Sequence, residues 1–414
     1  MRQNSLDLGL PSNAADWNPT RDVAQSRLDR FVEAAGSQYA RQRNFDFGAG
    51  KHAKVSQLSP WIRHRLIQEE EVLAAILAQH NLTTAEKFVQ EVFWRGYFKG
   101  WLEHRPDVWQ YYKHDLMHLF GQLDKDASLA RRYDEAVEGR TGLACFDAWV
   151  LELTETGYLH NHARMWFASI WTYTLNLPWQ LGADFFYRHL VDGDPASNTC
   201  SWRWVCGLHT IGKTYLARAS NIEKFTAGRF NPVGDLANAA PALEDLRPIH
   251  INAPSFTSHD LSGRRFGLII TEEDCSLAQL DLPRPAAVLA FSSRMERSLK
   301  PLGAIAARFG PLAVKDAMVR TQRGFDDPIS EYADEDWAEA LRDWKDSNAL
   351  EVCVTSRLTQ GPVQKRLRNA CRDADIELIQ VTRRYDQLVW PNAKRGFFGL
   401  KKKIPAILDG LGLT

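Results

Sequence analysis

Hydrophobic spacing changes its period part-way along this chain, and that change limits the folds open to it. Up to about residue 235 apolar residues recur every three or four positions. The stretch from Asp22 to Arg43 spaces Val23, Leu28, Phe31, Val32 and Ala35 this way, with charges on the other side, which predicts amphipathic helix. "EEEVLAAILAQHNL", "AEKFVQEVFWRGYFKGWLEHRP" and "CFDAWVLELTETGYLHNHARMWFASIWTYTLNL" read likewise. Residues 236–262 hold three prolines and no sustained period, which predicts a linker. From residue 263 onward the apolar runs are short and β-branched: "RFGLIITEED", "AAVLAFSS", "PLAVKDA", "ALEVCVTS" and "DIELIQVT". Helical stretches, "SRMERSLKPLGAIAARFG" and "GPVQKRLRNACRDAD", lie between them. The expectation is an all-helical domain over 1–235 followed by an α/β domain over 263–414 with a Rossmann-like, doubly wound parallel sheet. No GxGxxG or GxxxxGK[ST] follows any of these strands, so a standard dinucleotide or P-loop site is not supported.

The 51 basic and 51 acidic residues cancel, so a nucleic-acid surface has to be a local patch. One such patch is the tail "WPNAKRGFFGLKKKIP"; a solvated end is its simpler reading and a nucleic-acid contact the other. Six scattered cysteines with no CxxC predict free thiols. "MRQNSLDLGLPSN" lacks the apolar core of a signal peptide, and the apolar stretch Trp166–Leu181 is interrupted by Thr172, Thr174, Asn176, Pro178 and Gln180. A cytoplasmic monomer with no membrane span is expected.

Of 14 tryptophans, eleven lie at or before position 204, more than packing asks for, since Leu and Ile fill cores without an N–H to satisfy. Stacking on flat ligands or electron relay would use them. "EVFWRGYF" puts Glu91, Trp94 and Arg95 on one helical face, where a carboxyl, a flat ring and a fixed cation can line one wall. "KVSQLSPWIR" sets Ser56 and Ser59 beside Pro60 at a helix start, which predicts an N-cap; the same N–H groups suit a diphosphate. In "DGDPASNTCSWRW", Asp194, Asn198 and Trp202 share a face if the stretch is helical, and Trp202 and Trp204 point to opposite sides. His160 and His162 diverge on a helix, and Asp192 with Asp194 lacks a phosphate-binding loop, so no metal is expected at either pair.

Together these pieces resemble the photolyase/cryptochrome family of flavoproteins over roughly residues 21 to 230. "TGYLHNHARM" followed at this separation by "DGDPASNTCSWRW" carries the resemblance most specifically. It implies FAD wrapped inside the helical domain, with its isoalloxazine at the bottom of a DNA-facing cavity. By position, Tyr39 is implied at the flavin phosphate or ribityl, and Ser56, Gln57, Leu58 and Ser59 at the diphosphate. Arg95, Asn161 and Arg164 line the ring system, Arg164 pairing with Asp192. Asp194 lies near ribose and adenine, and Asn198 opposite the flavin N5. Glu91, Trp94, Met165 and Trp204 surround a flipped-out cyclobutane pyrimidine dimer, and Arg43 meets its phosphate. Trp202 and Trp179 are the inner and middle members of a photoreducing tryptophan chain.

The function so implied is that of a deoxyribodipyrimidine photo-lyase: light-driven electron transfer from reduced FAD to the dimer in damaged DNA, with Glu91 protonated by its partly dry pocket so that it donates a hydrogen bond. The alternatives are a cryptochrome-like blue-light sensor with a signalling partner, and (6-4) photoproduct repair, for which His160 is suitably placed. The chain departs from the family pattern at Val55, where a threonine is usual, and at Tyr158, where tryptophan is. Trp109, Tyr111, Tyr112 and Tyr133 are candidates for the outer relay member. The family places its α/β antenna domain first, whereas here it resembles a diverged antenna domain at the C-terminal end; a second chromophore is left open, since the first strand lacks the usual Arg-Asp-Leu-Arg run.

Overall fold

The computed structural model describes residues 17–256, 260–277, 280–293, 297–325, 329–332 and 336–413. The stretch read for a signal peptide lies outside them. The first part is helical: α1 (Arg21–Val32), α2 (Ser37–Gln42), α3 (Ser59–Arg63), α4 (Glu69–Gln79), α5 (Leu82–Glu103) and α6 (Pro106–Leu123). They are followed by α7 (Ala127–Val137), α8 (Ala144–Thr156), α9 (Asn161–Ser169), α10 (Trp179–His189), α11 (Pro195–Val205) and α12 (Ala219–Phe225). A π turn over Ile170–Thr174 extends α9. Gly157, at φ 69°, ends α8 in the left-handed conformation and breaks what reads in sequence as one long helix.

Residues 236–256 and 260–262 carry no helix or strand and run along the helical part. Leu243 N bonds Cys206 O at 3.0 Å and Asn252 N bonds His104 O at 2.9 Å. The second part holds β1 (Phe266–Thr271), β2 (Ala287–Phe291), α13 (Ala304–Gln322), β3 (Ser330–Tyr332), α14 (Trp337–Ser347), β4 (Val352–Ser356), α15 (Pro362–Asp373) and β5 (Glu377–Val381). Three short helices follow: α16 (Arg384–Val389), α17 (Phe397–Lys401) and α18 (Ile404–Gly410). The sheet is parallel, in the order β3-β2-β1-β4-β5, with β1 paired to both β2 and β4.

Alternation in β1 sends Phe266, Leu268 and Ile270 to a core shared with α13 and the helical part, and Ile269 to a second core with α14 and α15. "PLAVKDA", expected as a strand, lies inside α13, with Pro311 in the helix. A short apolar run fits either period, and here the flanking helical stretch extends through it. The preceding stretch, expected to be helical from Ser293, has no helix over 297–303, and residues 294–296 lie outside the described residues. β3, an exposed three-residue edge strand, carries no apolar run to announce it.

The two parts share α5. Gly96 and Gly100 each cost an exposed helix roughly 1 kcal/mol relative to alanine. A Cβ on Gly96 would lie 2.8 Å from Tyr385 Oη, and one on Gly100 2.8 Å from Trp390 Cα, so these glycines let the chain after β5 pack directly on α5. No described helix is long and apolar enough to cross a membrane.

Candidate functional site: a polar cleft in the helical part

The cleft lies where α5, α9, α11 and the turn before α3 meet. Core positions there would be expected to be buried, yet Ser56, Ser59, Glu91, Trp94, Arg95, Arg164, Met165 and Trp204 are half-buried and Asn161 is exposed. The turn is set by Gln57 at φ 52°, an unusual value for a residue with a side chain. It makes Ser59 the first residue of α3, and no side chain caps that helix. The expected N-cap is therefore absent: the Ser56 hydroxyl accepts only from Leu58 N at 3.3 Å.

At the floor, Arg164 binds Asp192 bidentately, Nη1 to Oδ1 at 3.1 Å and Nη2 to Oδ2 at 3.0 Å. Burial alone would raise the Asp192 carboxyl, but Arg164, Arg95 and a hydrogen bond from Ser59 hold it below the usual carboxylate range. Asp194 caps α11 by accepting from Ser197 N at 2.8 Å, with Pro195 at the first helical position. Its other oxygen faces Arg63 at 3.6 Å and Lys99 at 3.8 Å. Burial is outweighed by Lys99, Arg63 and Arg95, which keep Asp194 charged down to strongly acid pH. Asn198 donates to Ala183 O at 2.7 Å from the next turn of α11.

On the outer side, Glu91 pairs with Arg43, and burial pushes the nearby Tyr39 hydroxyl well up. Glu91 accepts here from Arg43 Nη1. Trp94, one turn further along α5, stacks on Phe397 of α17, ring centroids 3.7 Å apart and planes at 12°. Trp204 stacks on Tyr215 at 5.6 Å. Trp202 points the other way, into Phe167, Trp171 and Phe186, and Gly182 makes room for it: a Cβ there would be 2.3 Å from its ring. Trp179 stacks on Tyr112 at 5.7 Å, and Tyr112 lies 5.3 Å from Trp109.

Helical spacing brings Glu91, Trp94 and Arg95 to the cleft but overlooks Lys99, four residues beyond Arg95 on the same face. Arg63, 131 residues from Asp194, left no local signal. Trp171, edge-on to Trp202 at 6.3 Å, was hidden among other tryptophans. His160 caps α9 and stacks on His52, 1% exposed; burial lowers its pKa to about 4. Asp46, His52 and Glu152 form a further buried group with ligand atoms within 4.8 Å of one another. There Arg229 already pairs with Asp46, and His52 bonds Glu152 at 2.7 Å. All six cysteines are free and buried.

Arg95 Nη1, at the cleft, is one of several buried donors without a partner among the described residues; Gln90 Nε2, Arg105 Nη1, Trp202 Nε1 and Trp390 Nε1 are others. With two serine hydroxyls and the Arg164–Asp192 pair, Arg95 Nη1 gives the cleft a chemistry that fits a phosphate-bearing ligand. Residues 88–271 match the family described as the FAD binding domain of DNA photolyase. A deoxyribodipyrimidine photo-lyase of Synechococcus sp. is 32% identical over 227 residues, covering 51% of this chain and 45% of that protein. One of Thermus thermophilus is 35% identical over 212 residues, covering 50% and 47%. A solved class III photolyase from Agrobacterium tumefaciens aligns with a TM-score of 0.39 and 26% identity, over 53% of this chain and 46% of that one. The chain thus spans about half the length of the curated relatives it matches. Over its helical part it is similar to the photolyase family.

Proposed function

We propose that this chain is a light-dependent DNA repair flavoprotein that splits cyclobutane pyrimidine dimers. The observation that carries the reading is the Arg164–Asp192 pair at the cleft floor, beside Arg95 with its unmatched Nη1. Ser56, Gln57, Leu58 and Ser59 would hold the FAD diphosphate, with Tyr39 behind them. Arg95, Asn161, Arg164 and Asn198 would surround its ring system. Bound and reduced, FAD supplies the electron that cleaves the dimer under blue light.

The side chains here have separate tasks. Asp192 fixes the Arg164 guanidinium so that a positive charge faces the ring system without reorganising. Asp194, locked by Arg63 and Lys99, sets the start of α11, and with it the positions of Asn198 and Trp202. Glu91, Trp94, Met165 and Trp204 form the rim that would meet an extruded lesion, which stacks poorly and is cheap to flip. Arg43 would exchange Glu91 for a DNA phosphate, freeing Glu91 for the pyrimidines. Trp202 and Trp179 would relay electrons inward, with Tyr112 and Trp109 beyond them. The helical part precedes the sheet, so the antenna-like domain would stand in reversed order, with 236–262 as the connection.

A sensor reading draws on one observation, the engagement of Trp94 by Phe397. Repair of (6-4) photoproducts draws on none, because His160 is turned into the core. The test illuminates the purified, reduced protein with an oligonucleotide carrying one thymine dimer. Dimer loss in light and none in the dark is expected, and Glu91→Ala should lower that repair about 10²-fold, the scale of losing one preorganised donor, with flavin retained. No loss in light, with flavin bound, would leave the sensor reading.

A further inference from the structure

We infer that residues 394–403 form a nucleic-acid-binding strip that extends the cleft rim onto the outer face of α17. The inference rests on the repair reading only for its choice of partner. Five cations, Lys394, Arg395, Lys401, Lys402 and Lys403, fall within ten residues, and no acidic residue lies between Asp386 and Asp409. In a chain with no net charge this is a concentrated local field, of the kind that binds phosphate backbones.

The segment is not a solvated end. Its inner side is fastened to α5: Phe397 stacks on Trp94, Tyr97 Oη donates to Arg395 O at 2.9 Å, and Lys401 pairs with Glu86 at 2.9 Å. Arg105 Nη2 donates to Lys394 O at 2.7 Å. Phe397 meets Trp94, and Lys401 meets Glu86, two turns earlier on the same face of α5. α17 therefore runs back along α5, beside Glu91 of the rim.

The outer side is left to solvent. Lys394, Arg395, Lys402 and Lys403 are exposed, and among them Phe398 is 72% exposed. A phenyl ring held among four free cations is the combination that grips a single strand, with phosphates on the cations and an unpaired base on the ring. Because the inner contacts fix the backbone, little ordering remains to oppose binding.

The test uses the full chain and a fluorescent oligo-dT 16-mer, titrated at several salt concentrations in the dark. Lys402→Glu with Lys403→Glu, and separately the Gln pair, should reduce the slope of log affinity against log salt by about 1.4, from ~0.7 per lost phosphate contact. Phe398→Ala should weaken binding about tenfold. Flavin content of these variants should equal that of the parent. Unchanged slope and affinity in both pairs overturns the strip, as does binding to anionic phosphatidylserine vesicles without binding to the oligonucleotide. A parent protein that holds no flavin but shows these slope changes would refute the repair reading while leaving the strip intact.

Discussion

The cleft in the helical part and the C-terminal edge of the sheet are both places where a ligand would be sought, and they are built in opposite ways. In an open parallel sheet the ligand crevice lies outside the strand ends where the order reverses, here between β1 and its neighbours β2 and β4. That edge is filled by the protein itself. Arg63 binds Glu273 at 2.9 and 2.6 Å, His64 Nδ1 meets Glu272 O at 2.6 Å, and Arg65 binds Asp386 at 2.6 Å. Arg383 clasps Asp274 at 2.6 and 2.8 Å, and Gln360 N donates to Glu103 at 2.7 Å. The cleft, by contrast, keeps Ser56, Ser59, Glu91, Arg95 and Arg164 half-buried, whereas Arg63, Arg65, Glu273, Asp274, Arg383 and Asp386 at the edge are buried. Solvent access to polar groups, more than the fold's customary ligand position, marks where this molecule can take up a ligand.

The largest effect should come from breaking the filled edge. Arg63→Ala leaves Glu273 and Asp194 buried without their guanidinium, a change of the kind that costs about 3–5 kcal/mol. Chemical denaturation should show that loss in the chain without added FAD. A cost below about 1 kcal/mol would mean that water reaches this edge and that the contrast with the cleft is false.

The second effect is a pH dependence. Burial alone would raise the Asp274 carboxyl, but Arg383 and Arg65 hold it at about 2. A carboxyl depressed on folding stabilises the protein above its unfolded value, ~3.9, and that stability is lost as pH falls through the folded value. Between those limits about 2–3 kcal/mol should disappear, on the scale of 1.36 kcal/mol per pH unit. Arg383→Gln should flatten the acid limb of a denaturation-against-pH curve; an unchanged limb would remove Asp274 from the edge's support.

Much of the cleft was legible because its signals are local. One helical turn relates Glu91 to Arg95, an Asp-Pro step starts α11, and a two-residue offset sends Trp202 inward and Trp204 to the rim. The filled edge was not legible, because Arg63 and Glu273 lie 210 residues apart and each reads as an ordinary surface charge. The same holds for Phe397, whose partner Trp94 is on another element, so that a buried anchor looked like part of a solvated tail. "PLAVKDA" failed for a different reason: seven residues are too few to separate a helical period from a strand's.

The smallest expected effect sharpens the comparison from the cleft side. Asp192→Asn keeps the shape and one hydrogen bond to Arg164 but removes the charge. Arg164 retains 23% of its side-chain exposure, so water can take over part of what Asp192 supplied, unlike Arg63 at 1%. The stability cost should therefore fall below that of Arg63→Ala, at about 1–2 kcal/mol, within the range for losing a hydrogen bond to a charged group. The larger consequence should appear in binding: a guanidinium no longer held in place should retain FAD about tenfold less well, read as the Kd in fluorescence titration. If Asp192→Asn instead destabilises the chain as much as Arg63→Ala while leaving FAD affinity unchanged, Asp192 belongs to the packed scaffold, and the cleft is built like the sheet edge after all.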